Sequence, residues 1–190
     1  MDPPETQPAR VDDALRRRTI VLVGLMGAGK TSVGRRLAAA LDLPFKDGDE
    51  EVEQAAGLSI PQIFELYGEE RFREGERRVM ARLLNDPPHV LATGGGAFMD
   101  PITRMTVQQK AVSVWLKADI EVLARRVARK DTRPLVSGRD PKEVLERLAA
   151  VREPIYALAD IVVESGDRAH AATVDAIIEA LKARLAKEPA

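Results

Sequence analysis

The sequence contains no cysteine, no long apolar run and almost no net charge, and each absence excludes a class of protein. Without cysteine, the chain can form neither disulfides nor thiolate metal sites. No apolar run approaches the roughly 20 residues that a membrane-spanning helix needs. A net charge of −1 gives no general attraction to nucleic acid or to an anionic membrane. The N-terminal residues are acidic and proline-rich, unlike a signal peptide, so we expect a cytoplasmic protein.

The length of 190 residues fits one α/β domain. Residues 1–17 are rich in proline and charge and offer no apolar face to pack. We therefore expect a flexible N-terminal extension over residues 1–17 and a single domain over residues 18–190, without internal repeats.

The strongest functional signal is a glycine-rich stretch, Gly24–Thr31, between a predicted strand at Thr19–Val23 and a helical pattern that ends at Leu41. The spacing G-x-x-x-x-G-K-[ST] in a strand-to-helix turn is typical of a phosphate-binding loop, or P-loop. It predicts nucleoside triphosphate binding, with Lys30 on the outer phosphates and the Thr31 hydroxyl on Mg²⁺. The predicted nucleotide contacts in this stretch and its helix are Gly27, Ala28, Gly29, Lys30, Thr31 and Ser32.

Strand and helix patterns alternate along the rest of the chain, which predicts a doubly wound parallel sheet of about five strands. The further strands are predicted at residues 43–47, 89–92, 111–116 and 161–163. Pro141 is predicted to begin a helix through Val151, which the segment Arg152–Tyr156 interrupts or re-angles because it contains Pro154.

Two carboxylates, Asp47 and Asp49, follow the second predicted strand. Open parallel sheets bind their ligands at the carboxyl ends of strands. Taken alone, the pair fits an ordinary helix cap equally well.

Residues 50–85 hold no strand pattern and predict two or three helices broken at Gly57 and Gly68. This helical insert, at about residues 48–85, is large enough to hold a substrate. Within it, Arg73 and Glu76 lie three residues apart on one helical face, a spacing that is usually a solvent-exposed ion pair.

Three glycines, Gly94–Gly96, follow the third predicted strand and imply a close approach of the backbone to a ligand or to a neighbouring element. That strand lacks the terminal Asp of an ATPase magnesium motif, and nothing nearby resembles a water-activating glutamate. The pattern argues against a motor or a GTPase switch.

A basic stretch without periodicity covers about residues 129–140 and includes Arg129 and Arg133. In an arbitrary protein this is a solvated charge run. Beside a P-loop it suits a mobile lid, which neutralises the charge that develops in phosphoryl transfer and excludes water.

Taken in order, these motifs resemble those of shikimate kinase, and the resemblance covers nearly everything from Thr19 to Leu185. The motifs are Gly24-x-x-Gly27-x-Gly29-Lys30-Thr31, Asp47-x-Asp49, Phe72-Arg73-x-x-Glu76, Gly94-Gly95-Gly96, and Arg133-Pro134-Leu135 followed by Arg152-x-Pro154-x-Tyr156. The first is generic, but the ordered set is specific. The resemblance implies a three-layer P-loop nucleoside monophosphate kinase-like fold with strand order 2-3-1-4-5. It also implies transfer of the γ-phosphate of ATP to the 3-hydroxyl of shikimate, in aromatic amino-acid biosynthesis.

The resemblance assigns roles at the phosphates and at the acceptor hydroxyl. Lys30, Asp49 and Arg133 are the implied catalytic residues, with Arg133 closing over the phosphates. Thr31, in place of the family's more common serine, and Asp47 are the implied magnesium ligands, Asp47 through water. Asp49 orients the attacking hydroxyl or takes its proton.

The remaining roles concern the acceptor's carboxylate and the adenine. Arg73 and Arg152 are implied to bind the carboxylate of shikimate, because the guanidinium fork matches its two oxygens. Glu76 holds an arginine in place, and the backbone of Gly94, Gly95 and Gly96 contacts the substrate. The adenine contact stays open between Arg129, Arg126 and the turn at residues 165–167.

Two other functions would use the same P-loop. A kinase of gluconate or of a nucleoside monophosphate would lack the Phe72-Arg73-x-x-Glu76 and Arg152-x-Pro154 pairing. A non-catalytic nucleotide-binding regulator would need neither the paired carboxylates nor the basic lid. We expect a monomer whose partners are ATP and shikimate, with no nucleic-acid or membrane partner.

Overall fold

Five parallel strands form one sheet in the part of the chain described by a computed structural model, namely residues 14–128, 140–166 and 169–187. The strand order is β2-β3-β1-β4-β5, which confirms the predicted sheet. The strands are β1 (Thr19–Val23), β2 (Phe45–Asp47), β3 (Val90–Ala92), β4 (Ala111–Lys117) and β5 (Ile161–Glu164). Every residue of the central strand β1 is buried, as its apolar, β-branched sequence predicts.

Helices connect the strands, and β-branched or apolar side chains on their inner faces complete the core. Helix α1 packs against α7, and α5 packs against α6. The helices are α1 (Lys30–Leu41), α2 (Gly48–Ala56), α3 (Ile60–Leu83), α4 (Pro101–Lys110), α5 (Ile120–Ala128), α6 (Pro141–Tyr156) and α7 (His170–Leu185), with a short 3-10 helix at Ala97–Met99.

The insert between β2 and β3 consists of α2 and α3, in agreement with the sequence pattern. Helix α2 ends at Gly57, whose φ of 65° lies in the left-handed region, and Ser59 and Gln62 form a capping box at the start of α3. Gly68 breaks the regular backbone inside α3, with φ 79° and ψ 172°. Both predicted breaks at glycine are therefore confirmed.

The strand order brings the predicted functional segments to one edge of the sheet. Strand β3 lies between β1 and β2, with Ala92 paired to Leu22 on one side and to Asp47 on the other. The P-loop after β1, the carboxylates after β2 and the glycines after β3 therefore meet at neighbouring carboxyl ends.

Helix α6 corrects one prediction. It runs without a break from Pro141 to Tyr156, so the predicted interruption at Arg152–Tyr156 is wrong. Pro154 lies in the last turn, where its ring removes one backbone hydrogen bond. Tyr156, two residues further on, is fully buried, and this burial favours continuation of the helix past the proline.

The start of the described chain also differs from the prediction. Residues 14–16 form a helical turn, and Leu15 is buried in the core. The predicted flexible extension overlooked this one apolar anchor, while residues 1–13 lie outside the described residues. Among the helices that the structure describes, none is long and apolar enough to cross a membrane.

Candidate active site

The P-loop forms a tight turn between β1 and α1. Gly24 has a φ of 143°, and a β-carbon there would lie 2.7 Å from the carbonyl oxygen of Leu116. Gly29, with a φ of 89°, directly precedes α1. Only glycine adopts both positions without strain, and the loop ends at the N-terminus of α1, which carries the positive end of the helix dipole.

Lys30 extends back over the P-loop from the first residue of α1. Its ammonium donates to the carbonyl oxygens of Gly24 (2.9 Å) and Leu25 (3.0 Å). A phosphate oxygen is a charged and therefore stronger acceptor than a backbone carbonyl. Lys30 is thus positioned to exchange these carbonyls for phosphate oxygens.

The predicted magnesium ligands are in direct contact. The Thr31 hydroxyl donates to Asp47 Oδ2 at 2.7 Å, and Asp47 Oδ1 accepts from the Asp49 N–H at 3.1 Å. Mg²⁺ binds through one or two protein oxygens and completes its shell with water and substrate phosphates. The pair fits this ion, and within the described residues no cluster of three or more metal-ligating side chains offers another site.

A cavity of about 430 Å³ opens in front of the P-loop. One part of its lining comes from the P-loop and the start of α1, namely Gly27, Gly29, Lys30, Thr31 and Ser32. Residues from elsewhere in the chain also line it, including Asp47, Asp49, Thr93, Gly95, Arg126 and His170. Ala28 is buried behind the loop, where its carbonyl oxygen accepts from Ser165 Oγ at 3.2 Å.

The three glycines after β3 allow charged side chains to approach the backbone. A β-carbon on Gly94 would lie 2.5 Å from Asp49 Oδ1 and 3.0 Å from Glu76 Oε1. A β-carbon on Gly95 would lie 2.9 Å from Arg152 Nη1, and one on Gly96 would lie 2.7 Å from Arg73 Cζ. The predicted acceptor-site residues, which come from α2, α3 and α6, therefore converge on Gly94–Gly96.

Arg73 is held by carboxylates on its own helix. Its Nη1 donates to Glu76 Oε2 at 2.7 Å, and its Nε and Nη2 both donate to Glu69 Oε1 at 3.3 and 3.2 Å. Burial raises the pKa of the Glu76 carboxyl, and the positive charge of Arg73 offsets part of this increase. The sequence predicted the Glu76 contact, whereas the Glu69 contact is an addition from the structure.

Tyr156 supports the same backbone segment from α6. Its hydroxyl donates to the Gly95 carbonyl, and its ring lies 5.9 Å from the ring of Trp115. Burial raises the pKa of the Tyr156 hydroxyl to about 12, so the donor stays protonated near neutral pH. Sequence reasoning gave Tyr156 no role, although its i, i+4 spacing from Arg152 would have placed both on one face of an unbroken helix.

Arg126 and His170 flank the P-loop on the side of β5. Arg126 donates to the carbonyl oxygens of Gly27 (3.2 Å) and Gly166 (2.6 Å), so it links the P-loop to the turn after β5. Of the groups left open for the adenine, Arg126 and this turn are adjacent. Arg129, Arg133 and Asp167 lie outside the described residues, as does the predicted lid up to residue 139.

His170 was missed by the sequence reasoning. It begins α7, and its Nε2 would be 3.7 Å from a β-carbon on Gly29. Partial burial, followed by the positive charges of Arg36 and Arg126, lowers the pKa of His170. Its place after the last strand was the available signal, because that position also lies at the carboxyl edge of the sheet.

Comparisons with known proteins agree with this geometry. The family model for shikimate kinase matches residues 26–182. A shikimate kinase of Caulobacter vibrioides is 64% identical over 168 residues, which cover 88% of this chain and 84% of that protein. A shikimate kinase from Acinetobacter baumannii, solved in complex with shikimate, is 36% identical with a TM-score of 0.86, covering 91% of this chain and 98% of that one.

A gluconokinase from Sinorhizobium meliloti has a TM-score of 0.59 at 21% identity and covers 90% of this chain and 95% of its own, so it shares the fold alone. The family model and the Caulobacter relative both cover most of the chain. This chain therefore belongs to the shikimate kinase family.

Proposed function

We propose that this chain transfers the γ-phosphate of ATP to the 3-hydroxyl of shikimate and releases shikimate 3-phosphate and ADP. The observation that carries the proposal is the convergence of Asp49, Arg73 and Arg152 on Gly94–Gly96, beside the cavity in front of the P-loop. A substrate with a hydroxyl and a carboxylate needs a hydrogen-bond acceptor for the hydroxyl and hydrogen-bond donors for the carboxylate. Asp49 can supply the acceptor, and Arg73 and Arg152 can supply the donors.

At the phosphate end, the backbone of residues 27–32 binds the phosphates and Lys30 neutralises charge on the transferring group. The Thr31 hydroxyl and the Asp47 carboxylate would hold Mg²⁺, since they supply oxygen ligands next to the P-loop. When bound, this ion would neutralise negative charge of the phosphates. Arg133, and Arg129 with it, stays a proposed lid contact over the nucleotide.

At the acceptor end, Asp49 accepts a hydrogen bond from the attacking hydroxyl and orients its oxygen toward the γ-phosphate. In a loose phosphoryl-transfer transition state, positioning accounts for most of the protein's contribution. Asp49 therefore has two roles: it first orients the hydroxyl and then accepts its proton.

The carboxylate of shikimate lies between Arg73 and Arg152 in this proposal, and the Gly95 N–H is a further donor. Two guanidinium groups on one partly desolvated anion form charge-assisted hydrogen bonds of roughly 1.5–3 kcal/mol each. Glu76 is 8% exposed and binds Arg73 at 2.7 Å, so its proposed role is to position this arginine.

We further propose that the protein acts as a monomer, because the P-loop, Asp49, Arg73 and Arg152 of the same chain already converge on one site. The helices α2 and α3 are the proposed substrate-binding insert, and residues 129–140 are the proposed lid. A cytoplasmic location, without nucleic-acid or membrane partners, stays a prediction from composition.

A coupled assay of ADP formation tests the activity directly. We expect turnover with shikimate and none above the ATPase background with gluconate. Turnover with gluconate at a comparable rate would replace the proposed acceptor.

A titration then tests the residues. We expect Arg73→Lys and Arg152→Lys each to weaken shikimate binding roughly tenfold or more, because lysine lacks the fork, while ATP binding stays nearly intact. Arg77→Lys is the matched control, because Arg77 lies on the same helix but pairs with Asp100 at 3.1 Å. Shikimate amide should bind the wild type poorly and should hardly distinguish it from Arg73→Lys and Arg152→Lys. Equal affinity of the wild type for acid and amide would mean that these arginines serve another purpose.

A further inference from the structure

The Arg73 guanidinium is already engaged before any substrate arrives. Glu69 Oε1 accepts from Nε at 3.3 Å and from Nη2 at 3.2 Å, and Glu76 Oε2 accepts from Nη1 at 2.7 Å. The Nε and Nη2 groups form one edge of the guanidinium fork, which is an edge that a carboxylate binds with two parallel hydrogen bonds. Glu69 thus occupies donors that an incoming carboxylate requires.

The two glutamates hold Arg73 with very different strength. The Glu76 side chain is 8% exposed and lies at the shorter distance, whereas the Glu69 side chain is 66% exposed and makes longer contacts. An exposed ion pair at an i, i+4 spacing contributes little to stability. Glu76 is therefore the fixed partner and Glu69 the displaceable one.

The remaining faces of the guanidinium leave few alternatives for a ligand. The β-carbon position of Gly96 lies 2.7 Å from Cζ and 2.8 Å from Nη2, so one face of the group packs against the backbone. The Phe72 ring lies 5.0 Å from Cζ. The remaining edge of the guanidinium, formed by Nε and Nη2, contacts Glu69, whose side chain is largely exposed to solvent.

The backbone before Glu69 permits its withdrawal. Gly68 has a φ of 79°, and a β-carbon placed there would meet no atom within 4 Å. The backbone of α3 departs from helical φ and ψ angles at this residue. The Glu69 side chain is itself 66% exposed, so it can turn toward solvent without disturbing packed side chains.

We propose that Glu69 is an internal competitor for Arg73: its carboxylate occupies the guanidinium edge in the empty site and is displaced by the carboxylate of the acceptor. The proposal rests on the proposed function, in which Arg73 binds that carboxylate. It makes Glu69 a specificity-determining residue, because displacement opposes binding only for ligands that use the Arg73 edge. Glu69 lowers the affinity for the acid and leaves a neutral analogue unaffected.

The test compares Glu69→Gln with wild type in titrations with shikimate and with shikimate amide. Glutamine keeps the size of the side chain and removes its charge. We expect the variant to bind the acid about two- to fivefold more tightly, the range that an exposed ion pair represents, with unchanged affinity for the amide and unchanged kcat. Fluorescence of Trp115, the one tryptophan of the chain, is a suitable signal because its ring neighbours Tyr156, which binds Gly95.

Glu74→Gln is the matched control. Glu74 lies on the same helix and pairs with Arg71 at 3.0 Å, so the substitution removes the same charge without touching Arg73. We expect its acid affinity to equal that of wild type. Equal tightening in both variants would reduce the effect to general electrostatics and overturn the proposal.

The sign of the change separates competition from support. If Glu69 instead positioned Arg73, Glu69→Gln would bind shikimate more weakly, and either weaker or unchanged binding overturns the proposal. Failure of the proposed function is visible separately, because the wild type would then neither bind nor phosphorylate shikimate. A thermal unfolding curve for each variant confirms that the proteins compared are folded.

Discussion

The proposed phosphate end of the cavity is formed by one continuous stretch, Gly24–Thr31, whereas the proposed acceptor end takes its charged groups from α2, α3 and α6. The first end presents mainly backbone N–H groups, whose directions follow from local φ and ψ angles. The second presents guanidinium and carboxylate groups, whose positions depend on how distant helices pack. Substitutions at the phosphate end should therefore weaken ATP binding and slow phosphoryl transfer together. Substitutions at the acceptor end should leave ATP binding intact.

The largest expected effect is at the phosphate end. Lys30→Ala removes the ammonium that now contacts the carbonyls of Gly24 and Leu25. We expect phosphoryl transfer to fall a hundredfold or more, on the order of 3 kcal/mol of transition-state stabilisation, with weaker ATP binding. Steady-state kinetics and an ATP titration measure both, and near-normal turnover would refute the kinase mechanism.

The next effect should be confined to chemistry. Asp49→Asn keeps the shape of the side chain but removes its charge and most of its basicity. We expect turnover to fall by roughly a hundredfold, the lower range for general acid–base groups, while ATP affinity persists. If turnover with shikimate stays within about threefold, Asp49 acts as a helix-cap neighbour and the acceptor end has no proton acceptor there.

A steric change beside the backbone at Gly96 should affect shikimate binding and leave ATP binding unchanged. In Gly96→Ala, the new β-carbon would overlap the Arg73 guanidinium, so we expect shikimate binding to weaken roughly tenfold with normal ATP binding. Titration of each substrate measures this.

Gly75→Ala is the control for that substitution, since a β-carbon there meets no atom within 4 Å. Gly75 lies inside α3, so alanine should leave both affinities unchanged and raise the free energy of unfolding by up to about 1 kcal/mol. Similar losses of binding in both variants would attribute the effect to the helix and not to Arg73.

The smallest effect concerns the support of Gly95. Tyr156→Phe leaves the Gly95 carbonyl without this donor, so we expect about 1 kcal/mol less stability and a few-fold higher KM for shikimate. The pKa of Tyr156 is raised to about 12 in the folded protein. Between pH 10 and 12 the unfolded tyrosine therefore loses its proton before the folded one, and the free energy of unfolding falls as the pH rises.

Denaturant unfolding at pH 8, 10 and 11 measures this dependence. We expect a steeper decline above pH 10 in the wild type than in Tyr156→Phe. Parallel curves for the two proteins would mean that Tyr156 titrates alike in both states and is not protected by burial.

The contrast between the two ends also explains what the sequence could predict. Strand β1 and both glycine breaks of the insert were located to the residue, because their signals are local. The contact of Thr31 with Asp47 follows from parallel strand order, which places both at one sheet edge. Pattern and topology together therefore suffice for the phosphate end.

Non-local packing accounts for the rest. The interruption predicted at Arg152–Tyr156 was wrong, because no local rule includes the burial of Tyr156 at the end of α6. Leu15 looked like part of a polar extension because one apolar residue has no periodicity to detect. The contact of Glu69 with Arg73 is the exception, because their i, i+4 spacing on α3 would have predicted it.

Asp47 joins the two ends mechanically. One of its oxygens accepts a hydrogen bond from the Thr31 hydroxyl and the other from the Asp49 N–H. The proposed metal ligand Asp47 and the proposed hydroxyl acceptor Asp49 are therefore two residues apart on one short strand-to-helix junction. A ligand that reorganises Asp47 therefore also acts on Asp49. If the two substrates bind as proposed, they are thermodynamically linked: the factor by which ATP changes the affinity for shikimate equals the factor by which shikimate changes the affinity for ATP.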